Sequence, residues 1–428
     1  MFLKKFYHFL VACFFYWFYG RPSRKLVVIG VTGTKGKSTT CRLIASVLEQ
    51  TGKKVGLMST VEFQDGDKRW LNDKKMTMLG RGEIQKMMKK MVYNGCHFAV
   101  IETSSEGILQ YRHFGLHYDI CVFTNLGTEH QERHGGFENL RKDKGKIFAG
   151  LKKDKRKEIN NEKIEKTIIV NSDDENAKYF FDFSADKKLV FGYKDQYITG
   201  KENFICARLL SNNTKNIFEV DNFKYELNLS GVFNVYNALA AIAVGKAVGL
   251  TEEKIALGIS QVQKVEGRME FIDEGQKFKV IVDYAHESMS LNALFENLRT
   301  MVVQNKIIAV IGSDGGGRDK NKRERMGEIA GKLCDFVIVT DVNCFDEDPK
   351  EIAEMLARGS RMSGKKDEED LFVIIDREQA IKKAVSLAQK GDIVAITAKG
   401  TEPCIVVAGG KKIPWDDREI TRKILKTL

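Results

Sequence analysis

The hydrophobic pattern changes character at Lys25. Residues 1–25 read MFLKKFYHFLVACFFYWFYGRPSRK, with an uninterrupted apolar run from Phe9 to Tyr19. From there on, short apolar runs alternate with longer amphipathic stretches. LVVIGVTG predicts a buried strand entering a glycine turn, and STTCRLIASVLEQTG an amphipathic helix ending at Gly52. KVGLMST, HFAVIETSS and YDICVFTNL predict further short strands that end in polar residues. Alternating strands and helices of this kind predict a parallel α/β sheet with its site along the strand C-termini. Residues 152–166, KKDKRKEINNEKIEK, read as a solvated helix or loop, and short β-like runs over about 168–230 are expected to cover one sheet edge. GVFNVYNALAAIAVGKAVGL predicts a small-residue helix. After a boundary near Glu266, FKVIVDYAH, KIIAVIGS, DFVIVTD, LFVIID and DIVAITA are five strand candidates of a second α/β unit. The expected domains are 26–265 and 266–428, preceded by a basic aromatic helix over 1–25.

Composition narrows the class. With 43% hydrophobic and 30% charged residues the chain is an ordinary globular one, long enough for two or three cores. The net charge of +11 favours anionic partners, but no recognition motif accompanies it, so nucleic acid is not an expected partner. The eight cysteines form no C-x-x-C pair, which argues for reduced thiols in a cytoplasmic setting and against a zinc or disulfide framework. The leader is shorter than the roughly 20 apolar residues that span a bilayer, and bulky aromatics stand where a signal peptidase needs small residues. Its basic residues Lys4, Lys5, Arg21, Arg24 and Lys25 suit a peripheral anchor at the cytoplasmic face of the membrane. Docking of the helix on the protein's own core is the alternative.

Chemistry enters at the first turn. Gly33-Thr34-Lys35-Gly36-Lys37-Ser38-Thr39 lies between a predicted strand and helix, where backbone N–H groups and the helix dipole suit phosphate. Lys37 would neutralise the terminal phosphates of ATP and the Ser38 hydroxyl would ligate Mg²⁺. Val31 occupies the position of the first glycine of the strict phosphate-loop pattern. Glu102, at a strand end, can complete the shell that Ser38 begins. The fold class is therefore α/β: a P-loop-type parallel-sheet ATPase domain followed by a Rossmann-like α/β C-terminal domain.

TGTKGKSTT resembles the TGTxGKTT loop of the Mur ligase family, and later segments extend the resemblance over about residues 26–428. TNLGTEHQERHGGFENLRKDKGKIF is similar to the family segment in which a lysine follows a histidine by fourteen positions. The resemblance implies that His130 serves a second Mg²⁺ and that Lys144 is carbamylated, with Lys146 a nearby competitor. GVFNVYN looks like the GxFNxxN helix start, which would set Asn234 and Asn237 against the base. GRME and VDYAHES resemble family motifs that carry Arg268, Asp283, Tyr284 and His286 to the nucleotide. GSDGGGRDKNKRERM is similar to the GxGGxRDxxKRxxM stretch, including Arg318, Asp319, Lys322 and Arg323. Thr77, Ser104, Ser105 and Arg112 are implied contacts to an acceptor peptide, and Asn343 and Glu402 to the incoming amino acid.

The likeness is strongest to the branch adding the third residue of the peptidoglycan stem peptide, and it implies an ATP-dependent amide-forming ligase working through an acyl phosphate. Three departures stand out. Stem-peptide ligases carry an N-terminal domain that grips the UDP of the precursor, whereas about 25 residues precede the phosphate loop here; the acceptor is then expected to be held differently. Val342-Asn343-Cys344-Phe345 stands where meso-diaminopimelate enzymes carry DNPR, so the incoming amino acid stays open. Thr401 replaces the histidine of GKGHE, and Glu106 that of the SSH segment. A folylpolyglutamate or other polyglutamate ligase is the enzymatic alternative, and a non-catalytic ATP-binding scaffold the alternative of another class.

Overall fold

A computed structural model describes residues 2–127, 131–194, 204–212, 215–302, 304–317 and 319–427. The chain divides into two compact units after Gln263.

The first unit is built on β1 (Val27–Thr32), β2 (Lys54–Met58), β3 (Glu62–Asp65), β4 (Arg69–Leu71), β5 (Cys96–Glu102) and β6 (Ile120–Phe123). A small hairpin, β7 (Glu158–Ile159) with β8 (Glu162–Lys163), precedes β9 (Thr167–Asn171), β10 (Lys187–Gly192) and β11 (Phe204–Cys206). The sheet order is β11-β10-β9-β6-β1-β5-β2-β3-β4, parallel except for β3, which pairs antiparallel with both β2 and β4. Every residue of β1 is buried, which explains its continuous rather than alternating apolar pattern. Strand order reverses around β1, so a crevice is expected at its C-terminal end. A three-stranded antiparallel sheet, β12 (Arg208–Asn212), β13 (Asn216–Val220) and β14 (Phe223–Leu227), follows.

The helices of this unit are α1 (Phe2–Phe18), α2 (Lys37–Glu49), α3 (Arg81–Tyr93), α4 (Ser105–Leu109), α5 (Gln131–His134), α6 (Phe137–Lys153), α7 (Ala177–Phe181), α8 (Val232–Ala247) and α9 (Glu252–Ser260). α8 packs on α2, and its alanines let the two backbones approach. No helix among the described residues is long and apolar enough to cross a membrane.

The charged stretch at 152–166 is not simply solvated. It turns through Asn160 and Asn161, both at positive φ, and sends Lys157 inward to the buried Asp119 at 2.6 Å, where Lys166 joins it at 2.8 Å. Two lysine stems cover apolar surface while their ammoniums meet one carboxylate.

The second unit holds β15 (Glu270–Ile272), β16 (Lys279–Val282), β17 (Ile307–Ile311), β18 (Phe336–Val339), β19 (Leu371–Val373) and β20 (Ile393–Ile396) in the order β15-β16-β20-β17-β18-β19. All five predicted strands are present and parallel, and β15 adds an antiparallel edge. One apolar core lies under α10 (Ser288–Met301), α11 (Asn321–Leu333) and α12 (Pro349–Met362). The other lies under α13 (Arg377–Leu387) and α14 (Asp417–Leu425). This is the three-layer arrangement that a sheet with two apolar faces requires.

Candidate active site

The loop after β1 is held open by its neighbours rather than by itself. The Thr34 N–H donates to the Asn125 carbonyl, and the Lys35 N–H to the Asn125 side chain, both at 2.8 Å. Thr124 Oγ1 donates to the Lys35 carbonyl at 2.8 Å, and the Gly127 N–H to Thr34 Oγ1 at 2.9 Å. From the other side Asn237 of α8 closes on the loop: Thr40 Oγ1 donates to its Oδ1 at 3.0 Å, while its amide donates to Asn234 Oδ1 at 2.9 Å. Asn237 thus contacts the start of α2 directly, and Asn234 holds Asn237 in place. Gly36 has φ +79°, and a Cβ there would lie 2.3 Å from Asn237 Oδ1. Gly36→Ala is therefore expected to weaken ATP binding by about tenfold or more, from left-handed strain plus the displaced amide. A titration giving unchanged affinity would show that Asn237 does not dictate the loop.

Charge converges on the same loop. Lys37 Nζ donates to the Thr34 carbonyl at 2.9 Å. Ser38 Oγ donates to Glu102 Oε2 at 2.8 Å, and the Thr60 N–H donates to the same oxygen at 2.7 Å. Lys144, on α6 and only 4% exposed, reaches across to the Gly33 carbonyl at 2.8 Å. Lys146 instead pairs with Asp143 and is half exposed, so Lys144 is the lysine at the loop. Asp143 also binds His134 Nδ1 at 2.6 Å, tying α5 to α6 and staying below the usual carboxylate range through His134 and Lys146 despite the opposing effect of burial. Burial, reinforced by the charge of Glu102, pushes the Cys41 thiol well up, so it behaves as an inert core residue. His130 lies outside the described residues.

The acceptor candidates cluster beside this loop. Thr77 Oγ1 accepts from Thr60 Oγ1 at 3.0 Å. Ser104 caps α4, accepting from the Gly107 N–H at 3.1 Å, and Ser105 is buried. Arg112 donates to the Met78 carbonyl and to Gln110 Oε1, the latter at 2.8 Å. Glu106 turns outward to Arg133.

In the second unit the strand C-termini carry another polar group of residues. Asp283 accepts from the Met269 and Ala285 N–H groups, both at 2.7 Å, so its carboxylate shapes the turn. The Arg268 guanidinium stacks over Tyr284 at 4.4 Å from the ring centre. His286 Nδ1 bonds the Tyr284 carbonyl at 2.7 Å, and Lys322 Nζ donates to Glu287 at 2.6 Å. Asn343 donates to Asp314 Oδ1 at 2.7 Å and to Glu402 Oε2 at 3.0 Å, and the fully buried Lys399 also donates to Glu402 at 3.0 Å. Arg318 lies outside the described residues. Thr60, Asn125, Asp314 and Lys399 were not foreseen as site residues. Asn125 and Asp314 stood inside recognised segments, TNL and GSDGGGRDKNKRERM, Thr60 ended the predicted strand KVGLMST, and Lys399 lay two residues before Thr401, but no single-residue signal marked any of them.

Residues 31–245 match the Mur ligase middle domain, and residues 267–400 match the Mur ligase, glutamate ligase domain. The chain belongs to the Mur ligase family. Over 421 residues this Mur ligase is 38% identical to a UDP-N-acetylmuramyl-tripeptide synthetase of Roseiflexus sp. (strain RS-1), covering 96% of this chain and 81% of that relative. It is 36% identical over 418 residues to a UDP-N-acetylmuramoyl-L-alanyl-D-glutamate--2,6-diaminopimelate ligase of Geobacillus kaustophilus, with 96% and 81% coverage. A solved 2,6-diaminopimelate ligase of the same name superposes with TM-score 0.60 at 28% identity, covering 94% of this chain and 78% of that one. A Mycobacterium tuberculosis folylpolyglutamate synthase complexed with ADP and AMPPCP gives TM-score 0.67 at 15% identity, covering 98% and 94%, a likeness of fold alone. The resemblance read from the motifs is thus borne out, and the Mur ligase is an ATP-dependent, ADP-forming carbon–nitrogen ligase.

Proposed function

We propose that this Mur ligase extends a muramyl-peptide-like acceptor by one amino acid during peptidoglycan precursor synthesis. The supporting observation is the convergence of Lys37, Ser38, Glu102 and Lys144 on one strand-to-helix turn, beside Thr77, Ser104, Ser105 and Arg112. An acceptor carboxylate attacks the γ-phosphorus of ATP, giving an acyl phosphate and ADP. The amine of the incoming amino acid then attacks the acyl carbon, phosphate leaves, and the amine sheds a proton. In this reading the N–H groups of residues 36–38 and the ammonium of Lys37 hold the phosphates, while those of Thr34 and Lys35 are spent on Asn125. Arg112 orients the acceptor. Asn343 and Glu402 receive the amino acid, and Arg268, Asp283 and His286 serve the nucleotide.

The residues present suit Mg²⁺. A hydroxyl bonded to a carboxylate is the sparse all-oxygen donor set that this ion completes with phosphate oxygens and water. Ser38 and Glu102 would hold one ion, and by resemblance His130 and a carbamylated Lys144 a second. Bound there, Mg²⁺ would offset the repulsion between phosphate and carboxylate. The domain assignment is 26–265 for ATP and 266–428 for the Rossmann-like part, with the protein working at the cytoplasmic face and touching the membrane peripherally through α1.

The test is ADP release with ATP, Mg²⁺ and UDP-MurNAc-L-Ala-D-Glu, with each amino acid supplied in turn. Amino-acid-dependent release is expected. Phe345 stands at the position of the missing arginine, so meso-diaminopimelate is expected to show no advantage over other amino acids. ATP binding without release under any amino acid would overturn the acceptor assignment.

A further inference from the structure

From Phe9 to Phe18 α1 is apolar on every side, yet only one side is used. Ala12 and Tyr16 are buried, and Phe9 meets Tyr111 and Phe114 edge-on at 5.6 and 5.1 Å. The Tyr16 hydroxyl bonds His117 Nε2 at 2.8 Å. Its ring rests on Gly115, where φ is +73° and a Cβ would come within 2.5 Å of the ring. The seat is therefore specific, and it fixes which side faces out.

That outer side carries Phe6, Tyr7, Leu10, Phe14, Trp17 and Phe18, between 49% and 64% exposed. Positions 7, 10, 14, 17 and 18 recur at three- and four-residue steps, a single stripe along the helix. Its rim is basic. The Arg21 guanidinium stacks over Trp17 at 4.6 Å, and Arg24 and Lys25 are exposed. α3 adds exposed Lys86 and Lys89, the latter 5.9 Å from the Tyr19 ring centre. The first acidic residue of the chain is Glu49. α3 also carries the exposed Glu83, so the rim is predominantly rather than wholly basic. A protein partner needs no such excess of one charge, whereas an aromatic stripe rimmed mainly by lysine and arginine matches the headgroup layer of an anionic bilayer. At 17 residues the helix is about 25 Å long, right for lying in the interface rather than crossing it.

The helix also lies close to the acceptor candidates. His8 contacts Arg81, the first residue of α3. Arg81 follows the segment that carries Thr77, and Arg112 holds the Met78 carbonyl of that segment. The Arg81 and Arg112 guanidiniums are near enough that the charge of Arg112 adds to burial in lowering Arg81. We propose that α1 lies in an anionic membrane surface and that the acceptor is a muramyl peptide anchored in that membrane by a phosphate-linked lipid. The second half rests on the ligase reading above; the first does not.

The experiment uses the full chain and a Phe14→Ser, Trp17→Ser, Phe18→Ser variant. All three positions are exposed, so circular dichroism and the melting curve should be unchanged. Co-sedimentation with phosphatidylcholine vesicles containing phosphatidylglycerol is expected to exceed that with phosphatidylcholine alone, and to fall at least about tenfold in the variant. Turnover of a lipid-linked acceptor in the anionic vesicles should fall by a similar factor, while ADP release with the soluble acceptor stays the same. Equal sedimentation of both proteins, or a wild-type dimer that the variant dissolves, overturns the membrane assignment and points to a second copy on the stripe. Vesicle binding without any turnover of the lipid-linked acceptor overturns the acceptor half. Failure of the ligase reading itself would appear separately, as loss of ADP release with both acceptors while vesicle binding persists.

Discussion

Lys144→Ala is expected to lower amino-acid-dependent ADP release by about 10³-fold, while ATP binding weakens by no more than about tenfold. The side chain is buried, enters from α6 and ends 2.8 Å from the Gly33 carbonyl, so its charge is fixed against the phosphate loop before substrate arrives. A pre-positioned charge in a dry site acts without reorganisation at the moment of reaction, which is where large rate effects arise. Lys146→Ala provides the contrast. Its ammonium is committed to Asp143 at a half-exposed position, so a change within about threefold is expected. Carbamylation is separable from a plain ammonium role. A carbamate forms from an amine and CO₂, so the wild-type rate should fall in CO₂-free buffer and return with bicarbonate, whereas the alanine variant should respond to neither. Insensitivity of the wild type would leave Lys144 as a cation on the loop and remove the carbamate.

What the sequence disclosed and what it hid divide along physical lines. The phosphate loop was legible because strand, glycines and helix start are contiguous and each has a local signature. The five strands of the second unit were legible because buried parallel strands are short apolar runs. Asn237 could be placed on a helix but not against the loop, since its contact with Thr40 spans 197 positions. The charged stretch at 152–166 was misread because composition cannot tell a solvated lysine from one whose stem is buried and whose ammonium finds Asp119. The leader posed the same difficulty. Aromatics on every side of a helix are compatible with a core and with a membrane, and the seat on Gly115 together with the exposed stripe shows that only one side is spent on the core.

The Asp119 cluster yields the largest stability effect. Asp119 is fully buried and accepts from Lys157 Nζ at 2.6 Å, Lys166 Nζ at 2.8 Å and the Val28 N–H at 2.9 Å. The lysines complete their bonding with the Leu26 and Tyr118 carbonyls, each at 2.9 Å. Asp119→Ala removes the one carboxylate between two buried ammoniums, and a loss of about 3–5 kcal/mol from the first unit is expected. Urea unfolding followed by a probe in that unit measures it. Asp119→Asn, which keeps the shape but not the charge, should recover only a small part. The pH dependence tests the cause. Burial outweighs the attraction of Asp119 and pulls the Lys157 ammonium down to about 8, below its unfolded value of about 10.4. The unfolded chain therefore binds the extra proton between these values, and the contribution of Lys157 is fully present above about pH 10.4 and lost as pH falls through about 8. Without Asp119 the folded value drops further, so the penalty of the variant is greatest near neutral pH and shrinks toward pH 10 as the lysine enters the unit neutral. A penalty independent of pH would mean that Asp119 acts through packing and its hydrogen bond to Val28 rather than through charge.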